Sequence, residues 1–166
     1  MTLTASSAIA RGLRANQVLA HRYLDDLKPA EFDHQPFPGV NSAAWVLGHL
    51  VLTERRALGA LGAELPELPA GFEEKFKVTG QPAPEQGHLG EPAQLLRLFD
   101  AHRDALVRAV EAAADTHLSQ EINLSSRSAA LYPTTGELAA FMGQHTALHL
   151  GQVTVIRRSL GYPPVL

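Results

Sequence analysis

The sequence predicts an all-α protein, a four-helix bundle that takes up residues 1–166 as a single domain. Three observations carry this. Four segments repeat apolar side chains at steps of three and four residues, the period of an α-helix. The stretches between them are rich in Pro, Gly and Ser, and none alternates as a half-buried strand does. A chain of 166 residues, 45% hydrophobic and 19% charged, can also build one core burying roughly 70% of its unfolded surface.

The first helix is expected from Leu3 to Leu27. Ile9, Leu13, Asn16, Ala20, Tyr23 and Leu27 form its apolar or small row, and Ser6 or Ser7 is its candidate cap. Lys28-Pro29 stops it, and Pro29 opens a short turn through Phe32. The Pro-rich stretch His34 to Gly39 cannot continue a helix. Asn41-Ser42 then starts a second helix, Ala43 to Leu61, with an inner row of Trp45, His49, Leu52 and Arg56.

From Glu64 to Pro92 the chain reads as a long irregular connection with one short turn at Phe72 to Phe76. Stretches of that length inside a compact domain usually serve a purpose, such as crossing the bundle or covering a pocket. Glu91-Pro92 opens a third helix running to about Ala114, with Leu95, Phe99, His102, Leu106 and Val110 inward. Leu118 to Pro133 is a second connection, carrying Ser125, Ser126 and Ser128. Thr134 or Thr135 caps the fourth helix, with Glu137 near capping-box spacing. That helix ends at Leu160, before Gly161-Tyr162-Pro163-Pro164.

Composition narrows the function. The formal net charge is −3, and no Lys/Arg stripe is arranged to neutralise phosphates, so nucleic acid is not an expected partner. The pairs Arg55-Arg56 and Arg157-Arg158 read as solvated or ion-paired. With no cysteine, neither disulfides nor protein thiolates are available, and any thiol in the chemistry comes from a small molecule. No apolar run spans a bilayer, and Met1 to Ala10 lacks the pattern of a signal peptide. The cytoplasm is the expected compartment, with no membrane partner.

The chemistry concentrates in histidines. His145 and His149 stand four apart, which on a helix places both rings on one face, about 6 Å apart along the axis. They fall on the row Leu138, Met142, His145, His149, Gln152, Ile156, Leu160. A single inward histidine is commonly a hydrogen-bonded core residue. Two stacked on one row each bring a donor and an acceptor that need partners, at about 1–3 kcal/mol for each left unpaired. His49 supplies a third imidazole from the second helix. Three histidines on two helices can cap a metal ion and leave positions open for water or substrate, the pattern of a catalytic rather than a structural site.

Around these residues the chain resembles the DinB/YfiT-like metalloprotein superfamily. The resemblance rests on Trp45-Val46-Leu47-Gly48-His49-Leu50 with Glu54, and on His145 to Gln152 followed by Arg157, Leu160-Gly161 and Pro163. It implies a bundle of up-down-down-up order and a divalent metal, zinc or nickel, on His49, His145 and His149. It further implies a homodimer and activity as a thiol-dependent transferase or isomerase or a metal-dependent hydrolase; a stress-associated role goes instead with the alternative of metal binding without turnover. The three histidines are then catalytic through the bound metal, which lowers the pKa of a bound water or thiol and polarises the electrophile.

Other polar residues are expected to be structural. Gln152 is read as satisfying backbone in preference to orienting a ligand or contacting substrate, and Glu54 as pairing with Arg157 or Arg158. His102 and Asn16 are kept out of the metal set. His21, His34, His88 and His117 are read as solvent-facing, and Trp45 as packing. Two further readings of the histidines remain: a metal-binding protein without turnover, and a plain helical dimer with the rings hydrogen-bonded in its core.

Overall fold

A computed structural model describes residues 3–78, 87–122 and 131–166. Helix α1 spans Ala5–Leu24, starting two residues after the expected Leu3 and before the Ser6 or Ser7 cap of a frayed start. Thr4 is the cap: its backbone is extended, its hydroxyl accepts from the Ser7 N–H at 3.2 Å, and Ser7 answers from the third position. The helix also closes before the expected Leu27. The chain leaves Leu24 through a turn in which the Leu27 N–H reaches the Leu24 carbonyl, and this keeps Leu27 buried. The turn after Pro29 is present as a short 3-10 segment, Pro29–Glu31.

Helix α2, Ala43–Ala60, is capped by Ser42, which accepts from Trp45 N–H at 3.2 Å. The helix gives way at Gly62, whose φ of +63° is open to glycine and strained for other residues. Within the first connection the short turn is a helix, α3, Phe72–Phe76. It lies directly on α2: a Cβ at Gly48 would come within 2.2 Å of the Phe76 ring. Gly48→Ala is therefore expected to lift α3 and cost about 1–3 kcal/mol, the range for overpacking, read in urea unfolding and as new proteolysis around Phe76. Unchanged stability and cleavage would show that α3 does not depend on this contact.

Helix α4, Pro92–Ala112, has its Pro in the first turn as expected. The extended backbone at Ala113 and Ala114 then makes a break before α5, Asp115–Leu118, a short helix that the sequence pattern does not predict. Helix α6, Thr135–Ser159, begins with the expected Thr134/Glu137 capping box. An isolated bridge between Glu121 and Thr134 ties the chain before and after 123–130 together. Ser125, Ser126 and Ser128 lie outside the described residues, as do 79–86 of the first connection. Among the described residues there is no strand, and no helix is long and apolar enough to cross a membrane.

α1 packs against α4 and α6, and α2 packs against the same two. Between α1 and α6 the chain runs the same way: Asn16 lies against Gly143, and the Tyr23 carbonyl accepts from Arg157. Between α1 and α4 it runs oppositely, Arg14 meeting Glu111 and His21 meeting Asp100. The core has two apolar parts, one around Leu47, Leu50, Phe76, Phe99 and Leu150, the other around Leu13, Leu58, Leu106, Val110 and Met142.

Between them stands a buried polar layer. Arg103 donates to one Glu54 oxygen through two nitrogens, to the Leu13 carbonyl at 2.7 Å and to the Thr146 hydroxyl at 2.7 Å. Glu54 thus pairs with Arg103, correcting the expected pairing with Arg157 or Arg158. Arg157 instead grips Asp26 and stacks on Tyr162. Position explains the difference. Glu54 lies on the buried α2 stripe with Leu47, Leu50 and Val51 rather than facing the end of α6, and only the packing of α4 brings Arg103 opposite.

The inner rows also need correction. On α2 Arg56 is exposed, and the buried stripe is Leu47, Leu50, Val51, Glu54 and Leu58. On α6 it is Leu138, Met142, Thr146, Leu150, Val153 and Arg157. A helix touching two neighbours buries a band wider than one row, and the rows with histidines lie along the edge of that band rather than its centre. The α4 row is as expected. Among the histidines expected in solvent, only His88 is exposed. His21 is half-buried between Asp25 and Asp100, His34 meets Ser159, and His117 meets the Leu61 carbonyl.

Candidate metal centre

His145 and His149 sit on the edge of the α6 band that faces α2, half-buried, and His49 faces them from α2 at 9% exposure. One ring nitrogen from each lies within 4.8 Å of the other two. Among the described residues this is the only group of three or more His, Asp, Glu or Cys so arranged. Helix period and packing make it: i and i+4 align two rings on α6, and the α2–α6 contact adds the third.

The second nitrogens are also engaged. His149 Nδ1 lies 3.2 Å from Gln152 Oε1, three residues on along the same helix. His145 Nδ1 lies 3.4 Å from Thr53 Oγ1, a longer contact, while the Thr53 hydroxyl donates to the Leu50 carbonyl at 2.9 Å. With the ring proton on Nδ1, facing these acceptors, each Nε2 is left as a lone pair; with one proton on Nε2, the same two atoms form a hydrogen bond. The two Nε2 atoms face each other at 3.2 Å. In the first of these states the two lone pairs repel, and a cation between them satisfies both. Tetrahedral zinc with bonds of about 2.0–2.1 Å holds its ligand nitrogens about 3.3 Å apart, so the spacing of this pair fits.

Electrostatics agree. Burial, then the charges on His149, His145 and Arg56, pushes His49 down to about 3. Burial, His149 and Arg103 push His145 to about 4, and burial lowers His149 against the pull of Gln152. At neutral pH all three rings are uncharged, the state that binds metal.

Aromatic rings wall the site. Trp45 stacks on His49 with centroids 4.8 Å apart and planes 9° apart. Phe141 lies 5.6 Å from His145, with Tyr132 stacked on it at 4.0 Å. Trp45 therefore does more than pack, since it fixes the ring plane of His49. Gln152 likewise meets His149 rather than backbone. The sequence reading puts Thr53 beside the inner row of α2 but gives it no role at the site, although its position four residues after His49 is a signal. His102 stays outside the group, buried, with Nδ1 donating to the Leu98 carbonyl at 2.8 Å. Asn16 bonds the Gly12 carbonyl and takes no part.

A helical bundle in which three neutral histidines, one buried and two half-buried, converge from two helices has the donor set to hold a metal ion. A family model described as the DinB superfamily matches residues 13–153, most of the chain. The chain belongs to the DinB superfamily. No curated protein and no solved structure matches it significantly.

Proposed function

We propose that this chain is a divalent-metal enzyme in which His49, His145 and His149 hold zinc or nickel. The observation that supports this most is the facing pair of Nε2 atoms at 3.2 Å, each ring held from behind at Nδ1. A bound ion supplies Lewis acidity, lowering the pKa of a water or small thiol and polarising an electrophile. The chain's own residues do the rest. Gln152 and Thr53 hold two rings by their Nδ1 protons, and Trp45 stiffens the third. Phe141 and Tyr132 offer an apolar wall that keeps bulk water from one side. The reaction is hydrolysis or thiol transfer, and because the chain has no cysteine the thiol in the second case comes from a small molecule.

Metal analysis of tag-free protein tests the site, and about one ion per chain is expected. A screen of small thiols against electrophiles, with esters and amides for hydrolysis, tests turnover. One observation favours the alternative of metal binding without turnover: Glu54, the carboxylate nearest His49 along α2, is engaged by Arg103 and is not available as a base. Full occupancy with silence across the screen would decide for that alternative.

Gln152→Leu separates ligand orientation from folding. It is expected to weaken metal binding by about 10–100-fold, the usual effect of losing such a partner, with the helical circular dichroism unchanged. Wild-type affinity in the variant would mean that Gln152 does not orient His149.

A further inference from the structure

Beyond His49 on the same face of α2 come Leu52, Thr53 and Arg56, at helical steps of three, one and three. Leu52 and Arg56, with Arg55, form one wall of a hollow of about 350 Å³, and Glu73, Glu74 and Lys77 form the other. Arg56 lies about 10 Å along the helix from His49, and its side chain leans back toward the helix N-terminus, the direction of the histidines.

The charges in this hollow are not equivalent. Arg55 faces Glu73 at 3.6 Å and also donates to the Pro66 carbonyl. Lys77 pairs with Glu74. Among the described residues Arg56 has no hydrogen bond or ion pair, and it is exposed. A planar guanidinium without a partner, in a hollow about two helical turns along α2 from a candidate reaction centre, matches a carboxylate with two parallel hydrogen bonds. Glu73 and Glu74, already on the opposite wall, repel a second negative group.

We propose that this hollow takes the carboxylate end of a small monoanionic substrate, with Arg56 as the recognising cation and the reacting end directed to the three histidines. The direction of the reacting end rests on the metal-enzyme reading above, whereas the carboxylate contact stands without it.

The test has two arms. In the first, metal-free protein is titrated with propanoate or with neutral propanamide while ¹⁵N–¹H spectra follow the arginine side chains. Saturable shifts are expected at Arg56 and around Leu52 with propanoate only, and Arg56→Gln is expected to abolish them. A response at Arg56 no stronger than at exposed Arg108, or one that survives Arg56→Gln around Leu52, overturns the proposal. In the second arm, cobalt-loaded protein is titrated with 3-mercaptopropanoate or 3-mercaptopropan-1-ol, read by the thiolate-to-cobalt absorption band. The acid is expected to bind at least tenfold tighter, with the preference lost in Arg56→Gln and partly kept in Arg56→Lys. A band with no preference for the acid overturns the directed geometry. Absence of any cobalt binding refutes the metal reading instead, and the first arm then decides the carboxylate contact alone.

Discussion

Arg103→Met is expected to destabilise the protein by about 3–5 kcal/mol, the cost of leaving a buried partner charge uncompensated. Arg103 has no solvent exposure, and Glu54, at 1%, depends on it for both hydrogen bonds to Oε1. The same guanidinium satisfies the Leu13 carbonyl and the Thr146 hydroxyl and lies over the Phe99 ring at 5.2 Å. Methionine fills the volume and meets none of these needs. In a domain of this size the loss lowers the melting temperature by roughly 10 °C. The double variant Glu54→Leu, Arg103→Met removes both charges and is expected to recover most of the loss, since a buried pair replaced by apolar residues of similar size is often neutral. Urea unfolding of the single and double variants measures this. A single variant within about 1 kcal/mol of wild type would mean that the layer is not structurally important. Because Thr146 lies between His145 and His149 in sequence, the single variant should also loosen the metal site, through position rather than contact.

His149→Ala is expected to lower metal affinity by more than about 100-fold, beyond the range for partners that only orient a ligand. It removes one of the two facing Nε2 atoms and frees Gln152. The half-buried ring contributes little to the core, so the metal-free variant should melt close to the metal-free wild type. The contrast appears on adding metal: at a free concentration about 100 times Kd the wild-type fold gains about 2.7 kcal/mol, and the variant gains almost nothing. Scanning calorimetry with and without zinc or nickel, beside metal analysis, reads both effects. Equal metal content in wild type and variant would refute the three-histidine site.

The four long helices, and the starts of three of them, were legible because local rules set them. Ser42 and the Thr134/Glu137 box cap helices through contacts within one turn, and Pro92 fits a first turn wherever it falls. The candidate ligands were legible for a related reason. The i, i+4 spacing of His145 and His149 fixes their common face before any packing occurs. His49 was added by inference from its own helix, and the α2–α6 contact brought it within 4.8 Å. The short α5 and the Thr4 cap were not legible, since two-residue breaks and frayed ends leave little periodic signal.

What the sequence determined by itself is the helical class, the caps of α2 and α6 and the common face of His145 and His149, all set by interactions that reach no farther than four residues along the chain. What only the tertiary structure decided is partnership. Arg103 rather than Arg157 neutralises Glu54, Gln152 and Thr53 hold the ligand rings, and Arg56 is left with its charge unpaired among the described residues. The physical reason is that a long polar side chain takes its partner from whichever helix packs opposite it, and periodicity along one helix carries no information about that neighbour.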